Sequence, residues 1–566
     1  LVFQAADVVQ PESDFLLSYN RQGEENSDFK LSADTINIEA ASYIARHAAV
    51  LTPEITLLLT NLAPKGDVNN ASFVLNTSGG ESTWTACGKL NSFSNNAVDK
   101  IPSMTNISAK ACSSEVDGWV DIATKKGSIY FEGLFRDPIS VEALDGQLHW
   151  LRTSDGWQLE AKQLTVHTPH IKTKTRLHVE LLTDGRAPQV DMQMNFTEAD
   201  ARFVPLYLPV GIMGDNVVNW LDHAFKQGQI TGGSFLLKGP LKGFPYRDKE
   251  GVFQVLFGAD KVDLHYADGW PDVLDISAEV EFKDEGLAIQ ASRGLISSNK
   301  IKQATVEITD LKTSKHLNIS GRIDDDINGL YQFFTQSPLK KSMQDLLEHT
   351  VVSGPASIDL DINVALKKKT QSYVSAQARL HDNKMTFPTL DLAVEGVSGT
   401  IDYSGKGLSA KGLTARVLSE KVDVTIKTSK RQTLIRAQGV VDMASLAKKY
   451  PSFAWKKVNG RSLATLEVKL PERGKGKPAA TQVSLSSQLR GVAIDLPKPV
   501  GKTKKSKRSL KLITNLSANK IALNTRYGDD IRAKLQFIKK ANKGFNFDKA
   551  DLHAGSTPAH LPPKSG

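Results

Sequence analysis

The sequence has few aromatic residues and no long hydrophobic run, and each shortage excludes a class of protein. Aromatics make up 7% of the 566 residues, so any core is mainly aliphatic. The most apolar stretch, 48–62, is interrupted by Pro53, Glu54 and Asn61. It falls short of the roughly 20 apolar residues that span a bilayer. With 40% hydrophobic and 23% charged residues, the chain is neither a polytopic membrane protein nor a disordered one.

Cysteine is also scarce, and the single disulfide that two cysteines can form cannot stabilise the fold of a chain of this size. Cys87 and Cys112 lie 25 positions apart. They are able to pair in an oxidising compartment, but the sequence leaves their state open. The chain begins at Leu1, and its first segment does not have the pattern of a signal peptide. We therefore expect an interior fragment of a longer protein.

Catalytic and metal-binding motifs are missing from the sequence. It contains no GxSxG, HExxH or P-loop pattern. The Gly-rich stretch 405–410 leads into a strand, which predicts a hairpin turn and not a nucleotide site. The acidic run 324–326 lacks the spacing of a calcium loop and predicts a turn. Four histidines without ligand spacing are expected at the surface or in turns: His149, His167, His170 and His178. We predict no enzyme activity and no cofactor.

The dominant pattern that is present is alternation of apolar and polar residues. In 356–364 every even position is apolar and every odd position is polar. Similar runs cover 276–282, 304–308, 374–380, 422–426 and 464–470. Successive side chains of a strand point to opposite faces, so each run predicts a strand with one apolar and one wet face. The gaps are rich in turn residues, which predicts about forty strands in a mostly antiparallel sheet.

Helical patterns are few. One begins at Asp215 or Asn216 and ends at Gly228, a second begins at Ser337, and a third begins at Asp442 and stops before Pro451. Each is followed by a strand that begins with glycine, at positions 233, 354 and 460. These glycines are 121 and 106 residues apart, which indicates a repeat of about 110 residues and a solenoid-like rod.

So many half-apolar strands need a cover that three short helices cannot supply. The sheet either folds into sandwiches, closes into a filled β-helix, or curls into a trough whose apolar lining is covered by a ligand. A trough suits lipid, because shielding about 30 methylenes from water offsets a penalty of roughly 24 kcal/mol. Composition and periodicity alone do not decide among these three solutions.

The chain carries a net charge of +9, and its densest basic block lies near residue 505. Three interpretations remain open: a solvated loop, a contact with anionic lipid headgroups, or a contact with nucleic acid. Nucleic acid is the weakest, because no aromatic side chains are interleaved for base stacking. The candidate headgroup contacts are Lys502, Lys504, Lys505, Lys507 and Arg508.

Segment 205–246 resembles the YhdP family of the AsmA-like superfamily of Gram-negative envelope proteins. The matching pieces in and around it are Tyr207-Leu208-Pro209, Met213-Gly214, Trp220-Leu221-Asp222, Gly239-Pro240-Leu241, Phe244-Pro245 and Gly269-Trp270-Pro271. Upstream, 133–135, 146–150 and 156–157 are also similar, and 495–502 resembles a Leu-Pro-x-Pro-Leu-Gly-Lys stretch of the family. The resemblance covers roughly residues 130–515, whereas 1–110 is less similar.

This resemblance implies a periplasm-spanning bridge that conducts phospholipids between the inner and outer membranes. It implies a mainly β fold: an elongated, twisted antiparallel sheet that curls into an open hydrophobic groove and carries a few short helices. We expect periplasmic localisation, an inner-membrane anchor in the parent protein, and no nucleic-acid partner. The expected segments are 1–129, 130–212, 213–326, 327–441 and 442–566, the last three each a helix followed by a β-meander. Envelope partner proteins are possible and unidentified.

The residues expected to line the groove are the apolar positions of the alternating strands. They are Ile276, Val280, Phe282, Val306, Ile308, Ile358, Leu360, Ile362, Val364, Val422, Val424, Ile426, Leu466 and Val468. The alternative for each of them is the core of a sandwich. Two other functions stay open: an AsmA-like envelope scaffold or outer-membrane assembly factor that binds through exposed strand edges, and an enzyme acting on envelope glycans or lipids.

Overall fold

The fold was examined in a computed structural model of the chain. It describes residues 3–5, 8–21, 23, 25–47, 51–336, 351–367, 370–387, 392–404, 407–429, 432–451, 453–471, 481–515, 520–540, 544–555 and 559–562. The chain forms two units. The first comprises Leu1–Tyr266, Asp272–Ser292 and Val306–Ser314, and the second comprises Ala267–Pro271, Arg293–Thr305 and Lys315–Gly566.

Strands dominate both units, as the alternation predicts. They are β1 (Phe3–Ala5), β2 (Val8–Gln10), β3 (Phe15–Arg21), β4 (Ser27–Asn37), β5 (Lys65–Ser78), β6 (Glu81–Asn95), β7 (Ser103–Ser114), β8 (Asp117–Tyr130), β9 (Ile139–Thr153), β10 (Gly156–His167), β11 (Lys172–Leu182), β12 (Gln189–Phe196), β13 (Ala199–Asp200), β14 (Phe225–Pro240), β15 (Val252–Leu264), β16 (Val273–Lys283), β17 (Gly286–Ile296), β18 (Asn299–Ile308), β19 (His316–Asp326), β20 (Val351–Ser353), β21 (Pro355–Ala365), β22 (Tyr373–Phe387), β23 (Leu392–Ser404), β24 (Gly407–Val417), β25 (Glu420–Ser429), β26 (Gln432–Asp442), β27 (Val458–Pro471), β28 (Gln482–Ser487), β29 (Val492–Ile494), β30 (Leu510–Asn515), β31 (Lys520–Tyr527), β32 (Ile531–Lys540) and β33 (Gly544–Ala554).

Helices are short and few. Among the described residues, the α-helices are α1 (Ile38–His47), α2 (Pro53–Leu62), α3 (Asp215–Ala224), α4 (Ile327–Gln336) and α5 (Met443–Lys449). Short 3-10 turns cover Ala201–Tyr207, Val210–Ile212, Leu241–Gly243 and Phe453–Lys457. Within the described ranges, no helix has the length and apolar character needed to cross a membrane. The mainly β, antiparallel fold with few helices is therefore confirmed.

Strand order follows chain order in both units. In the first unit, antiparallel pairing runs from β3 through β12 and continues through β14, β15 and β16, with the short β13 also paired to β14. In the second unit, it runs from β19 to β21 and on through β28, then from β30 to β33. The pairing is the meander that short turn-rich connections predict.

The helix predictions have mixed outcomes. The helix expected from Asp215 forms as α3, although it ends at Ala224 and residues up to Gly228 join β14. The helix expected at Asp442 forms as α5, and the Asp442 side chain caps it by accepting from the backbone N–H of Ser445 at 2.9 Å. The helix expected from Ser337 lies outside the described residues. The sequence pattern missed α1, α2 and α4.

The acidic run 324–326 was expected to be a turn, and this prediction is wrong. All three residues belong to β19, and Asp326 ends the strand. Its carboxylate accepts hydrogen bonds from the backbone N–H of Asn328 and of Gly354, at 2.8 and 2.9 Å. Asp326 therefore caps the start of α4 and also holds Gly354, the residue that precedes β21.

Candidate functional site: the apolar sheet face

The apolar residues of the second unit form continuous rows across its sheet. Residues directly paired in antiparallel strands carry their side chains on the same face. One row of directly paired residues crosses ten strands: Ile323, Ile358, Ala378, Ile401, Ala410, Ile426, Ile435, Val468, Val483 and Thr514. A second row contains Leu413, Val424, Ala437, Leu466, Leu485 and Leu512. We call the face that carries these rows the apolar face.

The first unit has an apolar face of the same kind. Its row crosses twelve strands and is apolar except at Gly146 and Thr175. The residues are Ile36, Val68, Leu90, Ala109, Ile122, Gly146, Leu164, Thr175, Met194, Phe235, Val255 and Phe282. At roughly 4.8 Å between neighbouring strands, such a row follows about 50 Å of sheet. An acyl chain laid along the row meets hydrocarbon at almost every step.

The opposite face of the second unit is polar. Arg379 bonds Asp359 at 2.7 Å, and the Gln377 side chain donates to Asp402 at 2.9 Å. Alternate residues of one strand therefore face different environments: Asp361 is exposed to solvent, whereas Leu360 and Ile362 lie on the apolar face. This separation is what the strict alternation in 356–364 predicts.

The structure brings most of the predicted lining residues of the second unit onto this one face. Ile358, Ile426 and Val468 share the first row, and Val424 and Leu466 share the second. The others there are paired to apolar or small partners on the same face: Leu360 with Ala376, Ile362 with Val374, Val364 with Leu317, and Val422 with Ala415. Ile358 is buried, and the rest of this set is half-buried.

In the first unit, the predicted residues Val280 and Phe282 are directly paired with Phe257 and Val255 on the apolar face. Val306 and Ile308, on β18, are half-buried. Whether any of these residues contacts lipid stays a prediction.

Helical segments cover parts of the apolar face. In the first unit, Ala201 and Val204 pack on a cluster that includes Phe257 and the predicted residue Ile276. In the second unit, Ile327 at the start of α4 packs on a cluster that includes the predicted residue Val422. Met443 of α5 packs with a third cluster. Ile276 and Val422 therefore have protein neighbours above them, which alternation along a single strand does not reveal.

Much of the remaining surface is uncovered. The chain exposes 34387 Å² for a mass of 61.8 kDa. A compact monomer of that mass exposes about 20,000 Å², and two separate compact proteins of half the mass expose about 24,000 Å². Sandwich packing of two sheets removes such a surplus. The half-buried state of the rows indicates that protein does not cover the whole apolar face.

One concave patch lies on the apolar face of the first unit, with a volume of about 270 Å³. Leu31, Ile36, Val68, Phe73 and Leu90 line it. A cavity of roughly 150 Å³ holds benzene, so this volume has room for about ten carbon atoms and not for a whole lipid. The patch is a local deepening of a longer apolar surface.

A disulfide joins Cys87 and Cys112 beside this patch. The two cysteines are directly paired across β6 and β7, and their Cα atoms are 4.1 Å apart. The sequence left their state open, since spacing alone does not show that two residues face each other across adjacent strands.

The basic block divides into two groups. The Lys502 ammonium donates to the backbone carbonyls of Leu489, Val492 and Thr503, and burial lowers its pKa. Arg508 bonds Asp530 at 2.6 Å and lies over the Tyr527 ring. Both cations therefore have structural partners: Lys502 bonds nearby backbone carbonyls, and Arg508 ties its loop to the turn between β31 and β32. Lys504, Lys505 and Lys507 are exposed and remain the candidates for an anionic headgroup.

The other candidate groups serve the fold. His170 contacts the Tyr207 hydroxyl at 3.0 Å, and the His149 ring contacts Gln147 at 2.9 Å. Burial raises the pKa of Tyr207, although its hydrogen bond with Thr168 opposes this effect. Across the described ranges, no group of three or more His, Cys, Asp or Glu side chains is placed to hold a metal ion.

Comparison with known proteins is consistent with this geometry. The family model described as YhdP protein matches residues 1–566. The chain is 21% identical over 576 positions to the intermembrane phospholipid transporter YhdP of Escherichia coli (strain K12). The match covers 98% of this chain and 43% of that protein, so the chain spans less than half the length of this relative. No solved structure matches the chain. The family match over its full length shows that the chain belongs to the YhdP family.

Proposed function

We propose that this chain is a segment of a bridge that conducts phospholipids between two membranes along its apolar face. The observation that carries the proposal is the continuity of the apolar rows, half-buried over many strands and flanked by a polar face. Acyl chains complete the burial of these rows, while headgroups stay toward water. The name of the Escherichia coli relative, an intermembrane phospholipid transporter, supports the same cargo.

The movement involves no covalent step. At about 0.8 kcal/mol for each methylene taken from water, a lipid leaving a bilayer meets a large barrier. A row of equivalent apolar contacts lowers the barrier evenly, so the lipid slides without being trapped at one position. We place this process in the periplasm and assign the membrane anchor to the parent protein. We also propose that segments 213–326, 327–441 and 442–566 are structural repeats of the conduit.

The first test introduces a charge on the apolar face. Val424→Asp places a carboxylate in the second row, whereas Thr425→Asp places it on the exposed opposite face of the same strand. We expect Val424→Asp to reduce lipid transfer between vesicles at least about tenfold, since an unpaired charge in an acyl path costs several kcal/mol. Thr425→Asp serves as the matched control. Equal transfer by both variants, with folding intact, would contradict the proposal.

A second test does not depend on transport. A photocrosslinking amino acid at Leu360 should capture phospholipid, and the same group at Asp361 should not. Leu360 is preferable to Ile358, because Ile358 is buried by protein. Mass spectrometry of the crosslinked product identifies the lipid. Capture at both positions or at neither would show that the face is not selective for acyl chains.

A further inference from the structure

The connection between β13 and β14, residues 201–224, lies on the apolar face of the first unit. Ala201 is fully buried, and Val204 packs beside Ile230 and Val262. The same cluster includes Phe257, whose partner on β16 is Val280. This connection therefore covers positions that otherwise belong to the acyl path.

The connection is tied to a distant loop of the same unit at two points, Asp222 near its end and Gly211 in its middle. The Arg136 guanidinium donates two hydrogen bonds to Asp222, at 3.0 and 3.2 Å. The Gly211 N–H donates to the Leu134 carbonyl at 3.0 Å. A Cβ at Gly211 would overlap the carbonyl oxygen of Gly133, so the two backbones meet only because this residue is glycine. Residues 131–138 connect β8 to β9, and strands β9 to β12 separate that loop from β14.

A third loop between these two also holds the connection. The Tyr207 hydroxyl lies 2.7 Å from the Thr168 hydroxyl and 3.0 Å from Nδ1 of His170. The His170 ring stacks on Phe203 at 3.9 Å. Residues 168–171 join β10 to β11, so three connections from the same end of the antiparallel strands contact one another.

The ends of 201–224 are packed more firmly than its centre. Ala201 and Ala224 are fully buried, whereas Ile212, Val217 and Trp220 are 61%, 48% and 43% exposed. The part between these buried ends is held mainly by polar contacts: those of Tyr207, Gly211 and Asp222, and the Trp220 indole N–H donating to the Tyr266 carbonyl. Polar contacts at a surface exchange readily with water, and salt weakens the ion pair.

We propose that residues 201–224 are a lid over the apolar face, held closed by the Arg136–Asp222 ion pair. In the closed position it keeps acyl chains away from the positions around Phe257. When the ion pair opens, the part between the buried residues Ala201 and Ala224 lifts, and half-buried Val204 leaves the cluster that includes Phe257. Ala201 and Ala224 stay packed and act as hinges. The inference rests on the proposed lipid path.

The first measurement follows the lid directly by amide hydrogen exchange. Asp222→Asn removes the charge, and we expect exchange in residues 209–213 to become about two- to fivefold faster. The charge reversal Arg136→Asp with Asp222→Arg should restore slow exchange. Arg186→Gln is the control, because it breaks an exposed ion pair with Asp184 in the hairpin at the other end of these strands. Unchanged exchange in Asp222→Asn would overturn the lid.

The second measurement follows lipid. Benzoylphenylalanine replaces Phe257 under the lid or Phe73 in the concave patch, with phosphatidylethanolamine–phosphatidylglycerol vesicles as the probe. Asp222→Asn should raise capture at Phe257 about two- to fivefold and leave Phe73 unchanged. Capture at Phe73 with no change at Phe257 would overturn the lid alone. No capture at either position in any variant would overturn the lipid path, while exchange still shows whether the ion pair holds the segment.

Discussion

At the residue scale, single glycines decide how closely neighbouring strands approach where a helix returns to the sheet. Gly460 follows α5 and has a φ of +112°, in the region that favours glycine. A Cβ there would overlap the carbonyl oxygen of Gly491. The residue lies where β27 pairs with β29, so its size sets the distance between these two strands. Gly354 occupies the corresponding place after α4, with a φ of +117°.

We expect Gly460→Ala to lower the free energy of unfolding of the second unit by about 2–4 kcal/mol, because a backbone clash adds to the φ strain. Gly412→Ala separates the two effects, since Gly412 has a φ of +71° but no atom within 4 Å of an added Cβ. The control substitution should lower the free energy of unfolding by about 1 kcal/mol. Urea unfolding measures both. Equal losses would mean that the contact with Gly491 does not matter.

The sequence predicts where a side chain lies only when its position follows from the pattern of its own strand. Alternation predicts the face of Val424 and Leu466, since parity along a strand is local. It does not predict that Lys502 bonds three carbonyls, because these come from both sides of β29 and from the strand itself, and tertiary contacts bring them together. For the same reason it misses the cover over Ile276 and Val422.

At the element scale, the same junction recurs where a strand passes into a helix. The last residue of the strand is Asn or Asp, and its side chain accepts from a backbone N–H two or three positions later. The four pairs are Asn37 with Ala40, Asp200 with Arg202, Asp326 with Asn328, and Asp442 with Ser445. A carboxylate or amide oxygen there satisfies a donor that the first helical turn leaves unpaired.

This junction predicts a specific pH dependence. The backbone N–H of Ser445 and then its hydroxyl hold the pKa of Asp442 below its ordinary value of 3.8. A lowered folded-state pKa means that stability from the charge is complete above the unfolded pKa and is lost as the pH falls through the folded pKa. Asp442→Asn should therefore have a lower Tm than the unaltered protein at pH 7, and the difference should shrink below pH 3.8. Thermal unfolding from pH 2.5 to 7 checks this; a constant difference would contradict it.

The disulfide between β6 and β7 gives a prediction for the first unit. It closes a loop with a sequence separation of 25, for which chain entropy gives about 3.5 kcal/mol. Replacing both cysteines by serine should increase local opening of these strands, and the effect should fade with distance from them. Peptide-resolved amide exchange measures it, with β31 and β32 of the other unit as the internal reference. Unchanged exchange in β6 and β7 would show that the sheet alone fixes them.

Elements with a long periodic pattern are predictable, and short ones are not. The apolar stripe after Asp215 and the cap at Asp442 predict α3 and α5, although Asp215 and Asn216 do not cap α3: its N-cap is Gly214, without a side-chain hydrogen bond. α1 follows β4 without a break, and α4 follows β19 without a break, so no turn residues separate strand from helix. The useful signal is the Asn or Asp at the junction. Its use as a helix start becomes clear only when the four junctions are compared.

At the scale of the whole molecule, the amount of buried surface sets the heat capacity of unfolding. An unfolded chain of 61.8 kDa exposes about 90,000 Å², so folding buries about 62% of it. A compact protein of this mass buries about 78%. The half-buried apolar rows contribute to this difference, and apolar surface that is already exposed in the folded state lowers the heat-capacity change of unfolding.

The heat-capacity change of unfolding, per residue, should therefore be about a fifth below the usual 12–15 cal/mol/K. Differential scanning calorimetry with the lipid removed measures it. Adding phospholipid should raise the Tm, because a ligand of the folded state stabilises it. A heat-capacity change in the usual range would mean that the rows are covered in solution.

The antiparallel meander was predictable from turn spacing and alternation, but the choice between sandwich and open face was not. Both arrangements need the same alternating strands, and they differ only in what meets the apolar side. The family resemblance favours the groove. The half-burial of residues such as Leu360 and Val424 is the structural observation that supports it.

Strand order that follows chain order also bears on how the protein assembles. Each new strand finds its partner in the strand made just before it, so ordering can advance from the first hairpin onward while later residues are still being synthesised or exported. Loop closures stay short, which favours fast folding even in an all-β chain. A nascent chain of this kind need not be complete before it begins to resist proteases and aggregation.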